Sequence, residues 1–310
     1  ATVTVWDGRE IIRVEPGYVE KTYGLAVDVG TTTIGGYLCD LTNGEVMAAG
    51  AIMNPQGTVG EDVMTRIAYA KDHAGGLAEL NRVLIGGLNE LVREVAGRGG
   101  IEPADIAELV MVGNTAMHHL FLGLDVAPLG LSPFSPAIQR SVNVKARDLG
   151  LGILPGANVH VLPVEAGFVG ADNVGVLIAV EPHHQDEVLL IVDIGTNGEL
   201  ILGNRKRLLS CSCATGPAFE GASIRFGMRA APGAVERVRI DPRSLDVWVG
   251  IIGEGEKARG LCGSGIIEAV AEMLRAGVIK PDGAFCKSVN SPRLRLDPNG
   301  IPEFILVPAS

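Results

Sequence analysis

The chain of 310 residues carries a net charge of −10, and 47% of its residues are hydrophobic, enough for two domains with sizeable cores. The acidic balance, without a basic cluster, argues against nucleic acid and acidic membranes as partners, and no run approaches the roughly 18 uninterrupted apolar residues of a membrane-spanning helix. Five scattered Cys, an odd number, do not make a disulfide framework; with no signal peptide at the start, they point to a reducing cytoplasm. The chain opens at Ala1 and not Met, so it reads as a piece of something longer.

In chain order, residues 1–22 read as short strands or a linker, with Thr2 to Trp6 alternating, a turn at Asp7-Gly8, and Ile11 to Val14 pairing back. Strands are expected near 23–29, 33–41 and 45–52, the last two joined by Asn43-Gly44. From Gly60 the period changes toward 3.6. Leu77, Leu80, Leu84, Leu88, Leu91, Val92 and Val95 carry one amphipathic helix on to Gly97, with these apolar residues as core. Leu109 to Val112 reads as a buried strand, and Gly113-Asn114-Thr115 leads into a helix carrying His118 and His119. Adjacent helix residues point about 100° apart, so this His pair is a poor metal chelate. Residues 123–158, rich in Pro and Gly, read as an irregular connection. A strand at 159–162 follows, then a helix from Gly170 to Val180 with Asp172 near its start and Glu165 upstream.

The second half repeats the first. Strands are expected near 188–194, 198–203 and 206–212, then a helix opening at Gly216-Pro217-Ala218-Phe219-Glu220-Gly221. Further strands near 234–240 and 246–252 precede Gly260-Leu-Cys262-Gly263-Ser264-Gly265, which runs into a helix whose Ile266, Ile267, Val270, Met273 and Leu274 form one face. A Gly-rich turn with Ser at a helix start suits a phosphate or sugar, and equally a plain cap with tight packing. The tail from Lys280 has too little left for another strand–helix pair.

Two stretches organise this pattern: Tyr23-Gly-Leu-Ala-Val-Asp28-Val-Gly30-Thr31-Thr32-Thr33 and Val188-Leu-Leu-Ile-Val-Asp193-Ile-Gly195-Thr196-Asn197-Gly198. Each is an apolar run ending in Asp, then Gly and Thr, then a second apolar run. That is a strand, a tight turn and a strand. Gly lets the backbone approach a ligand closely, so turn N–H groups converge on an anion such as phosphate, while the Asp holds a hydrated metal against it. An ordinary hairpin also has this sequence; two copies in one chain argue for a shared site and an internal duplication.

Several segments resemble the ATPase region of the reductive activators of corrinoid proteins, within the superfamily of actin, hexokinase and the heat-shock chaperones. They are Gly24-Leu-Ala-Val-Asp-Val-Gly-Thr-Thr-Thr33, Asn54-Pro-Gln56, Val112-Gly-Asn-Thr-Ala-Met-His118, Asp193-Ile-Gly-Thr-Asn-Gly-Glu199, Gly216-Pro-Ala-Phe-Glu-Gly221, Gly227-Met-Arg-Ala-Ala-Pro-Gly233 and Gly263-Ser-Gly265. The resemblance implies an α/β, duplicated ribonuclease-H-like fold: strands or a linker at 1–22, a first lobe with an insertion at 23–163, and a second at 164–310 that lacks the superfamily's final strand–helix unit. It implies ATP or ADP with Mg²⁺, gripped by Gly30, Thr31, Thr32 and Thr33 and by Gly195, Thr196, Asn197 and Gly198, with Gly216, Gly263 and Ser264 also in contact. Asp28 and Asp193 would hold the metal through water, and Asp172, or else Glu165, would orient the attacking water. In the family, ATP hydrolysis drives reduction of a cobalt(II) corrinoid protein to cobalt(I). The implied partners are that protein and an electron-donor ferredoxin-like domain, and a homodimer is admitted. The iron–sulfur cluster is expected only in a part of the full-length protein absent here.

Three other readings stand beside this one. A small-molecule kinase of the acetate or sugar kinase type would use the same hairpins with an added acceptor pocket. An actin-like filament protein would bind ATP without turnover of a client. Cys211-Ser-Cys213 resembles the Cys turn of the dehydratase activators, where Cys213 and Cys262 would hold a subunit-bridging iron–sulfur cluster; buried inert thiols are the plain alternative.

Overall fold

The computed structural model describes residues 1–195, 197–214, 225–286 and 288–308. Among them the chain divides into two compact units: Ala1–Ile194 with Gly198–Cys213, and Gly195–Asn197 with Ala214–Ser310.

In the first unit, β1 (Thr2–Trp6) and β2 (Glu10–Glu15) pair antiparallel across the expected Asp7-Gly8 turn. A six-stranded sheet follows from β3 (Tyr23–Val29), β4 (Thr33–Asp40), β5 (Glu45–Met53), β6 (Ile106–Gly113), β7 (Val142–Lys145) and β8 (Asn158–Val161), in the order β5-β4-β3-β6-β8-β7. The first three strands are antiparallel neighbours, and β3, β6 and β8 run parallel. Strand alternation sorts the faces. Leu25, Val27 and Val29 point into the core, whereas Ala26 and Asp28 of the same strand lie on the opposite face.

The core side is covered by α1 (Val63–Asp72) and α2 (Gly76–Gly99), whose Leu80, Leu84, Leu88, Leu91 and Val95 are buried against β4 and β5. Two helices stand where the periodicity predicts one. The chain leaves helical geometry at His73 (φ −110°, ψ 128°), and Gly75 restarts it from the left-handed region at φ 80°. The short α3 (Thr115–Leu122) buries His118 and His119 completely. The stretch 123–158 is also more regular than expected: it supplies β7, an edge strand antiparallel to β8, and one turn of helix, α4 (Ala146–Leu149). Four-residue elements give too short a period to read from sequence. The other face of the sheet receives α5 (Ala171–Val180), packed on β6 with Gly175 against Val112. A three-stranded sheet, β9 (Leu189–Ile194), β10 (Asn197–Asn204) and β11 (Arg207–Ala214), repeats the sequential order of β3 to β5.

In the second unit, β12 (Ala234–Ile240) lies between β13 (Val247–Ile251) and β14 (Gly260–Leu261), and α6 (Gly263–Arg275) packs on β12. The predicted apolar face of α6 is turned inward only in part: Met273 packs on the core of this unit and Ile266 is half-buried. Gly265, Ala269 and Glu272 are buried, while Ile267, Val270 and Leu274 are exposed. Glu272 tolerates burial because its carboxylate accepts from Arg275 (2.6 Å) and from the Ile240 N–H (2.8 Å), which hold it down at about 2. The tail forms one small hairpin, β15 (Leu294–Leu296) with β16 (Pro302–Phe304).

Candidate nucleotide site

Asp28 sits one residue before the end of β3, paired in register with Gly35 on β4 and Val112 on β6. The turn that follows is built tightly. A Cβ on Gly30 would lie 2.5 Å from the Thr33 carbonyl oxygen, so no larger residue fits this turn. The turn carbonyls are held in sequence: the Asn54 side chain donates to Gly30 O (2.8 Å), Arg66 Nη2 to Thr31 O (2.6 Å), and the Asn54 N–H to Thr32 O (2.8 Å). Asn114, which caps α3 through Met117 N (3.0 Å), donates to the buried Thr31 hydroxyl (2.9 Å). The Thr32 hydroxyl is buried without a partner among the described residues. Thr33, the first residue of β4, is exposed.

Asp172 enters the same neighbourhood through a close approach. Gly170 lies against the β6–α3 junction, where a Cβ would sit 2.5 Å from Asn114 Cα, and this sets the first turn of α5, with Asp172, beside that junction. Asp172 Oδ1 accepts from the Asn173 N–H (2.8 Å). Glu165, the alternative water-orienting residue, is otherwise engaged. It accepts from Asn173 Nδ2 (2.8 Å) and from the Ser210 hydroxyl, tying the start of α5 to β11.

On the second hairpin, Asp193 pairs in register with Glu199, so two carboxylates face each other across β9 and β10. Like charges directly opposed repel. The electrostatics show four acids sharing one environment. Desolvation, then Asp172 and Asp193, push Asp28 up to about 6. Burial, with Asp193 adding, raises Asp172. Burial, then Asp172, push Glu199 up to about 7, against the Ser212 hydroxyl donating at 3.2 Å. No group of three or more His, Cys, Asp or Glu among the described residues is gathered closely enough to hold a bare ion.

This crowding predicts a pH effect on stability. A carboxyl whose native value lies above its unfolded one binds more protons folded than unfolded between those values, so stability falls as pH rises through that window. For Glu199 the window runs from its ordinary 4.5 to about 7. Glu199→Gln should therefore melt higher than the wild type at pH 8, by the equivalent of roughly 1–3 kcal/mol, with the gap closing toward pH 4.5. Thermal melts without divalent cations check this; a gap independent of pH would contradict it.

The remaining sites fall out separately. Gly195 closes the second turn, its N–H donating to Asn197 O (3.0 Å), with Gly198 following in β10. Thr196 and the segment Gly216–Gly221 lie outside the described residues. Gly263 and Ser264 open α6 in the second unit, where Cys262 is the N-cap residue and its buried thiol lies 3.3 Å from the Ser264 hydroxyl. Cys211 and Cys213 are exposed rather than buried, because outward positions alternate along β11. His119 has both ring nitrogens engaged, with Thr115 O at 2.8 Å and the Ala137 N–H at 2.9 Å; burial and His119 push His118 down to about 4.

Four residues of this arrangement have no role in the sequence reading: Asn54, Arg66, Asn114 and Glu199. The hairpin itself carries the signal for Glu199, since the β9–β10 register sets it opposite Asp193. Arg66 gives no sequence signal, being one charged residue in an amphipathic helix.

The order β5-β4-β3-β6-β8 with Asp and Gly at the β3–β4 turn defines an actin-like ATPase fold, and residues 187–310 match the C-terminal domain of RACo, the ASKHA domain. Residues 23–185 match the RACo middle region. The chain belongs to the RACo family. It is 37% identical over 265 residues to the corrinoid activation enzyme RamQ of Eubacterium limosum, covering 86% of this chain and 44% of RamQ. It is 27% identical to the [Co(II) methylated amine-specific corrinoid protein] reductase of Methanosarcina barkeri, covering 83% and 52%. A solved reductive activator for corrinoid, iron-sulfur protein superposes with a TM-score of 0.81 at 37% identity, over 98% of this chain and 48% of that one. The chain thus spans about half the length of the relatives it matches. No helix among the described residues is long and apolar enough to cross a membrane.

Proposed function

We propose that this chain is the ATP-binding and ATP-hydrolysing part of an activator that couples hydrolysis to reduction of a corrinoid protein from cobalt(II) to cobalt(I). The observation that carries the reading is the shared environment of Asp28, Asp172, Asp193 and Glu199 beside a turn whose carbonyls are tied away. Mutually repelling carboxylates and an unpartnered Thr32 hydroxyl suit a hydrated divalent cation. Asp28 and Asp193 would hold Mg²⁺ through water, and the bound ion would neutralise charge on the phosphates. Phosphoryl transfer otherwise asks the protein for positioning and electrostatic support. Gly30 lets the turn approach closely, and the N–H groups of Thr31 and Thr32 orient the phosphates. Asp172, whose carboxyl burial raises above its ordinary value, orients the attacking water in its ionised form and takes its proton.

Gly195, Thr196, Asn197 and Gly198 would form the second phosphate loop, with Gly216, Gly263 and Ser264 as further contacts, in lobes bounded at residues 23–163 and 164–310. The names of the relatives support a corrinoid protein as client. The electron donor would be an iron–sulfur domain elsewhere in the full-length protein. Under anaerobic conditions with a low-potential reductant, full-length protein should convert a cobalt(II) corrinoid protein to cobalt(I), read by visible absorbance, with ATP and not with a non-hydrolysable analogue. Equal conversion with both would overturn the coupling.

A further inference from the structure

The first hairpin turn is held from behind by a side chain that the ATPase reading does not use. Arg66, on α1, is 1% exposed and spreads its guanidinium over three segments. Nε donates to Gly60 O (2.9 Å), Nη1 to Gln56 Oε1 (3.1 Å) and Nη2 to Thr31 O (2.6 Å), while the Met117 sulfur lies 3.2 Å from Nη1. Gln56 is itself buried and anchored to Leu80 O on α2 (3.0 Å). One rigid fork therefore connects the turn after β3 to the loop before α1 and, through Gln56, to the long helix of the core.

The geometry has a directional consequence. A peptide unit is planar, with its carbonyl and N–H pointing opposite ways. The three successive carbonyls of Gly30, Thr31 and Thr32 accept from Asn54 and Arg66, and the N–H groups in the first two of these peptide units, those of Thr31 and Thr32, have no protein acceptor among the described residues. Asn54 holds the first and third carbonyls; the middle one depends on Arg66 alone of the two. We propose that Arg66 is a positioning residue: it fixes the Thr31–Thr32 peptide so that the turn presents its N–H groups as a preformed anion-binding nest for the nucleotide phosphates. The nucleotide is taken from the function proposed above; the fixing of the turn is independent of it.

Lys is the informative replacement, since an ammonium keeps the charge but is a point donor without the planar fork. A charged hydrogen bond of this kind is worth roughly tenfold to hundredfold in an equilibrium constant. In the full-length protein, Arg66→Lys should weaken Mg-ATP binding by that factor and raise KM more than it lowers kcat. It should also speed amide hydrogen exchange across residues 30–33 in nucleotide-free protein. Leu84→Ala, a fully buried core change on α2, serves as a control for general destabilisation, compared at temperatures where both variants remain folded by circular dichroism. Unchanged exchange at 30–33, or a loss of nucleotide affinity no larger than that of Leu84→Ala, would overturn the proposal. A wild-type protein that binds no nucleotide would instead sink the ATPase reading, and the exchange difference would still decide what Arg66 does.

Discussion

Asp28→Asn and Asp193→Asn are each expected to lower ATP hydrolysis by the full-length protein about 10²- to 10³-fold, the scale for losing one preorganised electrostatic group. The same substitutions should leave the fold at least as stable at pH 8. Asp193 is among the charges that push up Asp28, Asp172 and Glu199, so removing it relieves three neighbours at once. Activity and stability then move in opposite directions, which a residue kept for packing would not produce. Hydrolysis rates and melting temperatures on one preparation give both signs. Normal hydrolysis in either variant would remove that Asp from the site, and a parallel fall in both quantities would make it a structural residue.

Much of the fold is legible in the sequence because its elements are long and patterned. The alternation of Leu25, Val27 and Val29 gives both the strand and its buried face, and by subtraction leaves Asp28 on the other side. The Leu stripe of α2 is read just as directly. Where local and tertiary signals diverge, the reading fails. In α6 the apolar residues Ile267, Val270 and Leu274 stay exposed while Glu272 goes inside, because hydrogen bonds from Ile240 and Arg275 offset its burial. Periodicity has no means of anticipating a satisfied carboxylate on an inward face. The β7 strand and the β15–β16 hairpin are three or four residues long, too short for a period to register.

The candidate site divides along the same line. Asp28 and Asp193 announce themselves through repetition, and Asp172 through its place at a helix start. Their supporting residues act across long separations: Asn54 holds a carbonyl 24 residues earlier, Arg66 one 35 residues earlier, and Asn114 a hydroxyl 83 residues earlier. Such partners belong to the tertiary fold, and a single sequence carries no pattern that pairs them. Glu199 is the intermediate case. It is invisible as an isolated acid, and evident once the β9–β10 register is drawn.

Gly30→Ala should damage both the turn and the activity. The added methyl would meet the Thr33 carbonyl oxygen at 2.5 Å, and that atom is backbone, so no rotamer change relieves the clash. The turn itself is not free to shift, with the Gly30, Thr31 and Thr32 carbonyls held at 2.6 to 2.8 Å by Asn54 and Arg66. Overpacking of this kind costs about 1–3 kcal/mol, and the reshaped turn would misplace its N–H groups relative to the phosphates. Hydrolysis by the full-length protein should fall on the order of 10²-fold, the loss expected when aligned backbone donors are displaced. Gly86→Ala supplies the contrast. It lies on the exposed face of α2 with nothing within 4 Å of an added Cβ, so it should stabilise by about 0.5–1 kcal/mol through a less flexible unfolded chain and leave hydrolysis unchanged. Denaturant melts and ATPase assays on the two variants decide the matter: if Gly30→Ala binds and hydrolyses ATP as Gly86→Ala does, the turn after β3 is an ordinary hairpin and the phosphates bind elsewhere.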